Sequence, residues 1–138
     1  MPVEFKIFPS RNLVISQFAG HILLNEVLST AKIYAEHPNA HPTQNQLLDM
    51  RALTSYERDL VGTMSVMAQL PEHLLHPGFH PLVVYLAPGR AAQEISSLVI
   101  KSMQGISGML VSAVAEELHA LEILGLPEQT LAEILATA

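Results

Sequence analysis

The feature that most restricts the fold is the segment 82–87, Leu-Val-Val-Tyr-Leu-Ala, in which nearly every residue is apolar. A strand with one face in water alternates apolar and polar residues, and this segment does not alternate. An uninterrupted apolar strand is typical of a parallel sheet whose two faces are both covered. Pro88 and Gly89 then end the segment. We therefore expect residues 82–87 to form a central strand that is buried on both sides.

Elsewhere the spacing of apolar residues changes repeatedly between the period of a strand and that of a helix. The predicted strands are residues 3–8, 13–19, 46–50, 82–87 and 109–114. The predicted helices are residues 24–36, 56–69, 91–104, 116–124 and a last helix that starts at Pro127. The short turn between the first two strands predicts an antiparallel hairpin, and the later alternation requires parallel crossovers. The prediction is an α/β fold of order β-β-α-β-α-β-α-β-α-α, with a mixed, mostly parallel five-stranded sheet and packed helices, in a single domain of residues 1–138.

The charge balance argues against two classes of partner. Seven Lys and Arg stand against 13 Asp and Glu, which gives a formal net charge of -6, and the basic residues do not cluster. Nucleic acids and anionic membrane surfaces bind positively charged patches, so we expect neither as a partner. Charged residues make up only 14% of the chain. A surface with so few charges leaves apolar area uncovered, and we expect a homodimer or a protein partner to cover it.

The absence of cysteine excludes disulfides, thiolate metal sites and thiol nucleophiles. The first ten residues are strand-like and carry charges, which is unlike a signal peptide. No uncharged apolar run approaches the roughly 18 residues of a membrane-spanning helix. We therefore expect a cytoplasmic protein without a membrane span.

Four segments in order resemble the STAS and SpoIIAA-like family, which includes the C-terminal domains of sulfate transporters and bacterial anti-sigma-factor antagonists. They are the second strand with Gly20 after it, the strand that ends near Asp49, the strand 82–87 with Ala-Pro before the third helix, and the acidic helix 116–125. The resemblance covers residues 5–126. It implies a non-enzymatic regulatory or protein-interaction module, with no catalytic residue, metal or cofactor.

The loop after the third strand departs from the family pattern. In phosphorylated antagonists this loop carries an Asp-Ser-Ser-Gly motif, and a serine at the start of the next helix is modified. The motif is missing here, although Thr54 or Ser55 could serve in its place, while Glu57 and Asp59 would repel a phosphate and are expected to cap the helix. By resemblance, the candidate partner surface combines this loop with the face of the second helix. The loop residues are Leu53, Thr54, Ser55, Tyr56, Glu57, Arg58 and Asp59.

The sequence gives little support for a metal site or an enzyme. His73, His76 and His80 lie close together, but their spacing matches no metal motif. Two of them precede proline, which favours extended backbone, so we interpret all three as loop residues. No G-x-S-x-G elbow and no glycine-rich phosphate loop is present. An enzyme would require residues from distant parts of the chain to converge, and it is the third interpretation.

The six methionines suggest a second interpretation. Met64 and Met67 lie on the second predicted helix, and Met103 lies on the third. Methionine adapts to irregular apolar shapes, so these side chains could line a groove between helices and sheet that binds a lipid-like or apolar small molecule. Ordinary core packing explains the same positions more simply. A carrier or sensor of an apolar ligand is therefore the alternative to the regulatory module.

Overall fold

The structure, a computed structural model, contains the predicted hairpin followed by alternating strands and helices. It describes residues 2–74, 78–103 and 110–137, except for the side chains of residues 72, 74, 102 and 103. The strands are β1 Val3–Phe8, β2 Leu13–Ile22, β3 Asn45–Tyr56, β4 Leu82–Leu86 and β5 Leu110–Val114. The α-helices are α1 Leu24–Glu36, α2 Leu60–Leu74, α3 Arg90–Met103, α4 Glu117–Ile123 and α5 Leu131–Leu135. Of the described helices, none is long and apolar enough to cross a membrane.

The five strands form one mixed sheet in the order β1-β2-β3-β4-β5. β1 and β2 pair antiparallel across a short 3-10 turn, Pro9–Arg11, and Asn12 completes the turn in the left-handed conformation that asparagine tolerates. All later pairs are parallel, so the α/β class and the mostly parallel sheet are confirmed. The apolar strand β4 is buried at almost every residue, but the middle strand of the sheet is β3.

The helices cover the two faces of the sheet unequally. Because successive side chains of a strand point to opposite faces, neighbouring residues such as Leu47 and Leu48 belong to different layers. The three-helix face packs against α1, α2 and α3, and its core contains Met50, Val83 and Tyr85. The two-helix face packs against α4 and α5. The core of that second face consists of Phe8, Leu13, Ile15, Leu47, Val84, Leu86, Ala120, Leu121, Leu131 and Ile134.

The strand β3 extends to Tyr56, so the predicted end of this strand at residue 50 is wrong. β2 is also longer than predicted, and Ile22 pairs with Tyr56 at the far end of the two strands. Two register shifts lie between the strands, one of them next to Gly20, whose φ of 71° suits a bulge. These irregularities allow a polar stretch of β3 to stay paired. The loop expected over residues 53–59 is therefore mostly strand.

Three helix ends differ from prediction, and capping groups account for two of them. α2 begins at Leu60, since the Asp59 carboxylate accepts a hydrogen bond from the Gly62 N–H at 3.1 Å. It then continues through Pro71 to Leu74, past the predicted end at residue 69. α5 begins at Leu131, four residues after the predicted start at Pro127, because the Thr130 hydroxyl accepts from the Glu133 N–H. The starts of α2 and α5 therefore depend on one side-chain oxygen each rather than on apolar spacing.

Candidate functional site

A cavity of about 120 Å³ lies between the sheet and the three helices α1, α2 and α3. Its floor consists of side chains at alternate strand positions, chiefly Val14, Ser16, Gln46, Leu48, Val83 and Tyr85. Its roof consists of helix side chains, chiefly Val27, Ala31, Val66, Met67, Leu70 and Ile95. The described lining residues include no Asp, Glu, Lys, Arg or His. The space therefore suits an uncharged, mainly apolar molecule, and an apolar cavity of roughly 150 Å³ holds benzene.

Among the buried side chains of the cavity wall, two hydroxyl groups have no hydrogen-bond partner in the described part of the structure. They belong to Tyr85, which is 6% exposed, and Thr63, which is 8% exposed. No fully enclosed side-chain oxygen or nitrogen of the described residues lacks a partner. Both hydroxyl groups are therefore partly accessible, and both residues line the cavity. Burial raises the pKa of the Tyr85 phenol above its usual value, so this hydroxyl stays neutral.

Two other tyrosines line the cavity, but protein groups already satisfy their hydroxyls. The Tyr34 hydroxyl donates to the Gln44 side-chain oxygen at 2.5 Å, and burial raises the pKa of Tyr34 to about 12. The Tyr56 hydroxyl donates to Glu94 Oε2 at 2.9 Å. Tyr85 is thus the tyrosine of the described lining whose hydroxyl stays available to a ligand.

The predicted methionine groove agrees with the cavity in one of three residues. Met67 lines the cavity. Met64 is 63% exposed and is not part of the lining, so its assignment to the groove is wrong. The side chain of Met103 lies outside the described part of the structure. The predicted groove therefore coincides with this cavity in its layer and in one described side chain, Met67.

The predicted partner loop begins inside the sheet. Leu53 is 8% exposed and packs in the core of the three-helix face, so it is not presented to a partner. Thr54 and Ser55 lie in β3, several residues before α2 begins, and the Ser55 hydroxyl lies 2.7 Å from His21 Nδ1. Neither residue occupies the helix start at which the family's serine is modified.

The rest of the predicted loop is tied to neighbouring helices. Arg58 lies over the Tyr56 ring, 4.6 Å from its centroid, and its Nη2 donates to Glu94 Oε2 at 2.8 Å. The hydrogen bonds that Tyr56 and Arg58 donate to Glu94 lower the pKa of this carboxyl group. Glu57 accepts a hydrogen bond from the Leu24 N–H at the start of α1. Asp59 caps α2, as expected from the sequence. The segment therefore connects α1, α2 and α3 beside the cavity.

On the two-helix face, a buried carboxylate is neutralised by an arginine two residues away. Asp49 is 5% exposed and accepts hydrogen bonds from Arg51 Nε at 2.9 Å and Nη2 at 3.0 Å. Arg51 Nη1 also donates to Glu117 Oε2 at 2.7 Å. The other Glu117 oxygen accepts from the Leu131 N–H, at the start of α5. Burial alone would raise the pKa of Asp49, but the hydrogen bonds and charge of Arg51 outweigh it and lower this pKa. This network links β3 to α4 and α5.

The histidine cluster does not form a metal site in the part of the chain that the structure describes. No three His, Asp or Glu side chains come together there as ligands. His73 lies in the last turn of α2, and His80 lies in the segment before β4. His76 falls outside the described residues. The interpretation of His73 as a loop residue is wrong, because α2 continues past Pro71.

Sequence reasoning missed the polar groups of the cavity wall. A usable signal existed, because Ser16 and Gln46 occupy positions at which their strands otherwise turn apolar side chains inward. Tyr85 was visible only as part of an apolar run. Comparison of the chain with protein-family models, with curated proteins and with solved structures found no match.

Proposed function

We propose that this protein binds a small apolar molecule in the cavity and acts as a non-enzymatic carrier or sensor. The observation that carries the proposal is the uncharged cavity of about 120 Å³ between the sheet and three helices. Protein interiors are close-packed, with few voids larger than a water molecule. Ligand sites, by contrast, are concave, mostly apolar and supplied with a few polar groups. The cavity is likewise concave and mostly apolar, and it has a few polar groups in its wall.

The energetics of the cavity point in the same direction. An empty cavity of about 120 Å³ lowers stability by about 3 kcal/mol at roughly 24 cal/mol per Å³. A ligand that fills the space restores contacts to the lining side chains, and it stabilises the folded state in proportion to its occupancy. A cavity that is filled during function explains why such a defect is retained.

Filling the cavity from α1 is expected to weaken ligand binding without unfolding the protein. Ala31→Leu adds three carbons at the roof, and we expect at least about a tenfold loss of affinity for benzene because the space is occupied. Ala35→Leu is the matched control, since Ala35 is exposed on the same helix. Binding is measured by NMR titration, and thermal unfolding checks the fold. Equal benzene affinity in Ala31→Leu and the wild type would contradict the proposal.

A direct test is native mass spectrometry of protein purified gently from its own host. A mass excess that is lost on denaturation would identify a bound small molecule. If the protein carries no excess mass, benzene and a fluorescent apolar dye are added to the same sample. Absence of binding by both probes would refute the carrier or sensor proposal.

A second candidate function is that of a protein-interaction module of the STAS and SpoIIAA-like type, which the resemblance and one surface feature support. Leu60, Val61 and Met64 are 77%, 79% and 63% exposed at the start of α2. Neighbouring large apolar side chains on a surface are typical of interaction sites. For this candidate we infer a homodimer, in which the patch of one copy packs against the same patch of the other.

Introducing a charge into this apolar patch is expected to separate the dimer. Val61→Glu places a carboxylate in the centre of the contact, and we expect the dimer dissociation constant to rise at least about tenfold. Sedimentation velocity over a range of concentrations measures the change. Ala35→Glu is the control, because it adds the same charge on the exposed side of α1. A wild-type protein that stays monomeric at every concentration would rule out this candidate.

A further inference from the structure

The wall of the cavity contains hydroxyl groups that lack a partner although they are more than nine-tenths buried. Such a hydroxyl, on a side chain that is largely removed from bulk water, can hydrogen-bond with a molecule that occupies the cavity. Tyr85 and Thr63 both have this property among the described residues, and they come from the floor and the roof. The cavity therefore offers hydrogen bonds to a ligand from two sides.

The sheet register places a further polar group near Tyr85. Ser16 pairs with Leu48 on the adjacent strand, and Leu48 pairs with Tyr85 on the next one. Ser16 and Tyr85 thus stand about 10 Å apart across Leu48, since adjacent strands lie about 5 Å apart. The side chain of Ser16 also lines the cavity and makes no hydrogen bond with a described residue. An apolar patch on the floor is flanked by hydroxyls on both sides.

The lining residues also restrict the charge of a ligand. The described part of the lining provides no cation and no carboxylate. An ionised group that is moved from water into such a space loses its hydration without gaining a counter-ion, which is strongly unfavourable. A ligand with a neutral hydroxyl, carbonyl or amide group can instead replace its hydrogen bonds to water by hydrogen bonds to the wall hydroxyls that have no protein partner.

We propose that the cavity selects a small neutral amphipathic molecule, a compact apolar body of roughly phenol size with one hydrogen-bonding group, and that Tyr85 recognises this group. The inference rests on the proposed ligand-binding function and names its ligand class. The Thr63 hydroxyl is a second protein group that can hydrogen-bond with the ligand, from the opposite wall of the cavity.

The test compares benzene, phenol and benzoate as probes at pH 7, with affinities from NMR titration of protein freed of any ligand. In the wild type we expect phenol to bind and benzoate not to bind measurably. Tyr85→Phe removes one oxygen and keeps the ring. We expect it to weaken phenol about five- to tenfold, the value of one hydrogen bond, and to change benzene less than about twofold.

Tyr56→Phe is the matched control, because the Tyr56 ring also lines the cavity but its hydroxyl is already bonded to Glu94. It should leave the ratio of phenol to benzene affinity unchanged. Thr63→Val is a second variant, which keeps the test possible if Tyr85→Phe does not fold. We expect Thr63→Val to weaken the binding of phenol by less than Tyr85→Phe does, and to leave the binding of benzene unchanged. An equal affinity ratio in wild type, Tyr85→Phe and Thr63→Val, or tight binding of benzoate, would overturn the ligand class while ligand binding itself stands. Failure of benzene and phenol alike would refute the proposed function instead.

Discussion

Leu47→Ala is expected to lower the free energy of unfolding by about 3–4 kcal/mol, and Leu48→Ala by about half as much. The two residues are neighbours on β3 and point to opposite faces of the sheet. Leu47 is 0% exposed in the closely packed core under α4 and α5, so truncation creates a new void. Leu48 borders the existing cavity, where its side chain already has fewer neighbours to lose.

Urea-induced unfolding of the two variants and the wild type measures this difference directly. The same chemical change on the same strand keeps helix and strand propensities constant, so that packing alone separates the two results. Losses of equal size for Leu47→Ala and Leu48→Ala would mean that the three-helix face is packed as tightly as the two-helix face. The cavity would then not exist in solution.

Arg51→Ala is expected to destabilise the protein by about 2 kcal/mol at pH 7. Removing one partner of a fully buried ion pair typically costs about 3–5 kcal/mol, because the other charge is left without compensation. Asp49 is 7% exposed at its side chain, but Arg51 is 40% exposed, so water replaces part of the lost interaction and we expect a smaller loss. The double variant Asp49→Asn, Arg51→Ala should recover part of the loss, which a double-mutant cycle measures.

The effect of Arg51 should also depend on pH, with a sign that follows from Asp49. The pKa of Asp49 is lowered in the folded state. Its stabilising contribution is therefore present above the unfolded pKa of about 3.9 and is lost as the pH falls through the folded value. Unfolding of wild type and Arg51→Ala should differ fully at pH 7 and converge below about pH 4. A difference that does not change with pH would contradict the assigned role of this ion pair.

Arg58→Ala serves as the control for Arg51→Ala. Arg58 also pairs with a carboxylate, Glu94, but its side chain is 64% exposed. Exposed ion pairs contribute little to stability, so we expect a much smaller change in the free energy of unfolding than for Arg51→Ala. The contrast separates burial of the carboxylate from the mere loss of an arginine.

The sequence was sufficient for those elements whose apolar period is undisturbed. β1 and α1 lie where the sequence predicts them, at residues 3–8 and 24–36. The end of β3 was not predictable in this way, because its last residues are polar and stay in the sheet only through pairing with the far end of β2. Tertiary pairing there outweighs the local signal.

The sequence predicted that a groove lies between the helices and the sheet, but not the shape or the lining of the cavity. Met67 was identified because it faces inward on an amphipathic helix, yet the same periodicity could not show that Met64 points to solvent. The volume of the cavity depends on how three helices settle over one sheet, and on side chains more than 50 residues apart. The free hydroxyl of Tyr85 is likewise a property of the assembled layers, since an apolar run around a tyrosine says nothing about its hydrogen bonds.

The sheet order β1-β2-β3-β4-β5 has a consequence for the biosynthesis of the protein. Each strand pairs with the strand that precedes it in the chain. A newly synthesised strand can therefore pair with a strand that has already left the ribosome. Each parallel pairing closes one helical crossover, so no pairing has to wait for a strand that is distant in the chain. The sheet can thus grow outward from the N-terminal hairpin, strand by strand, during translation. The cavity is assembled late, once α3 and β5 have been added to the growing edge.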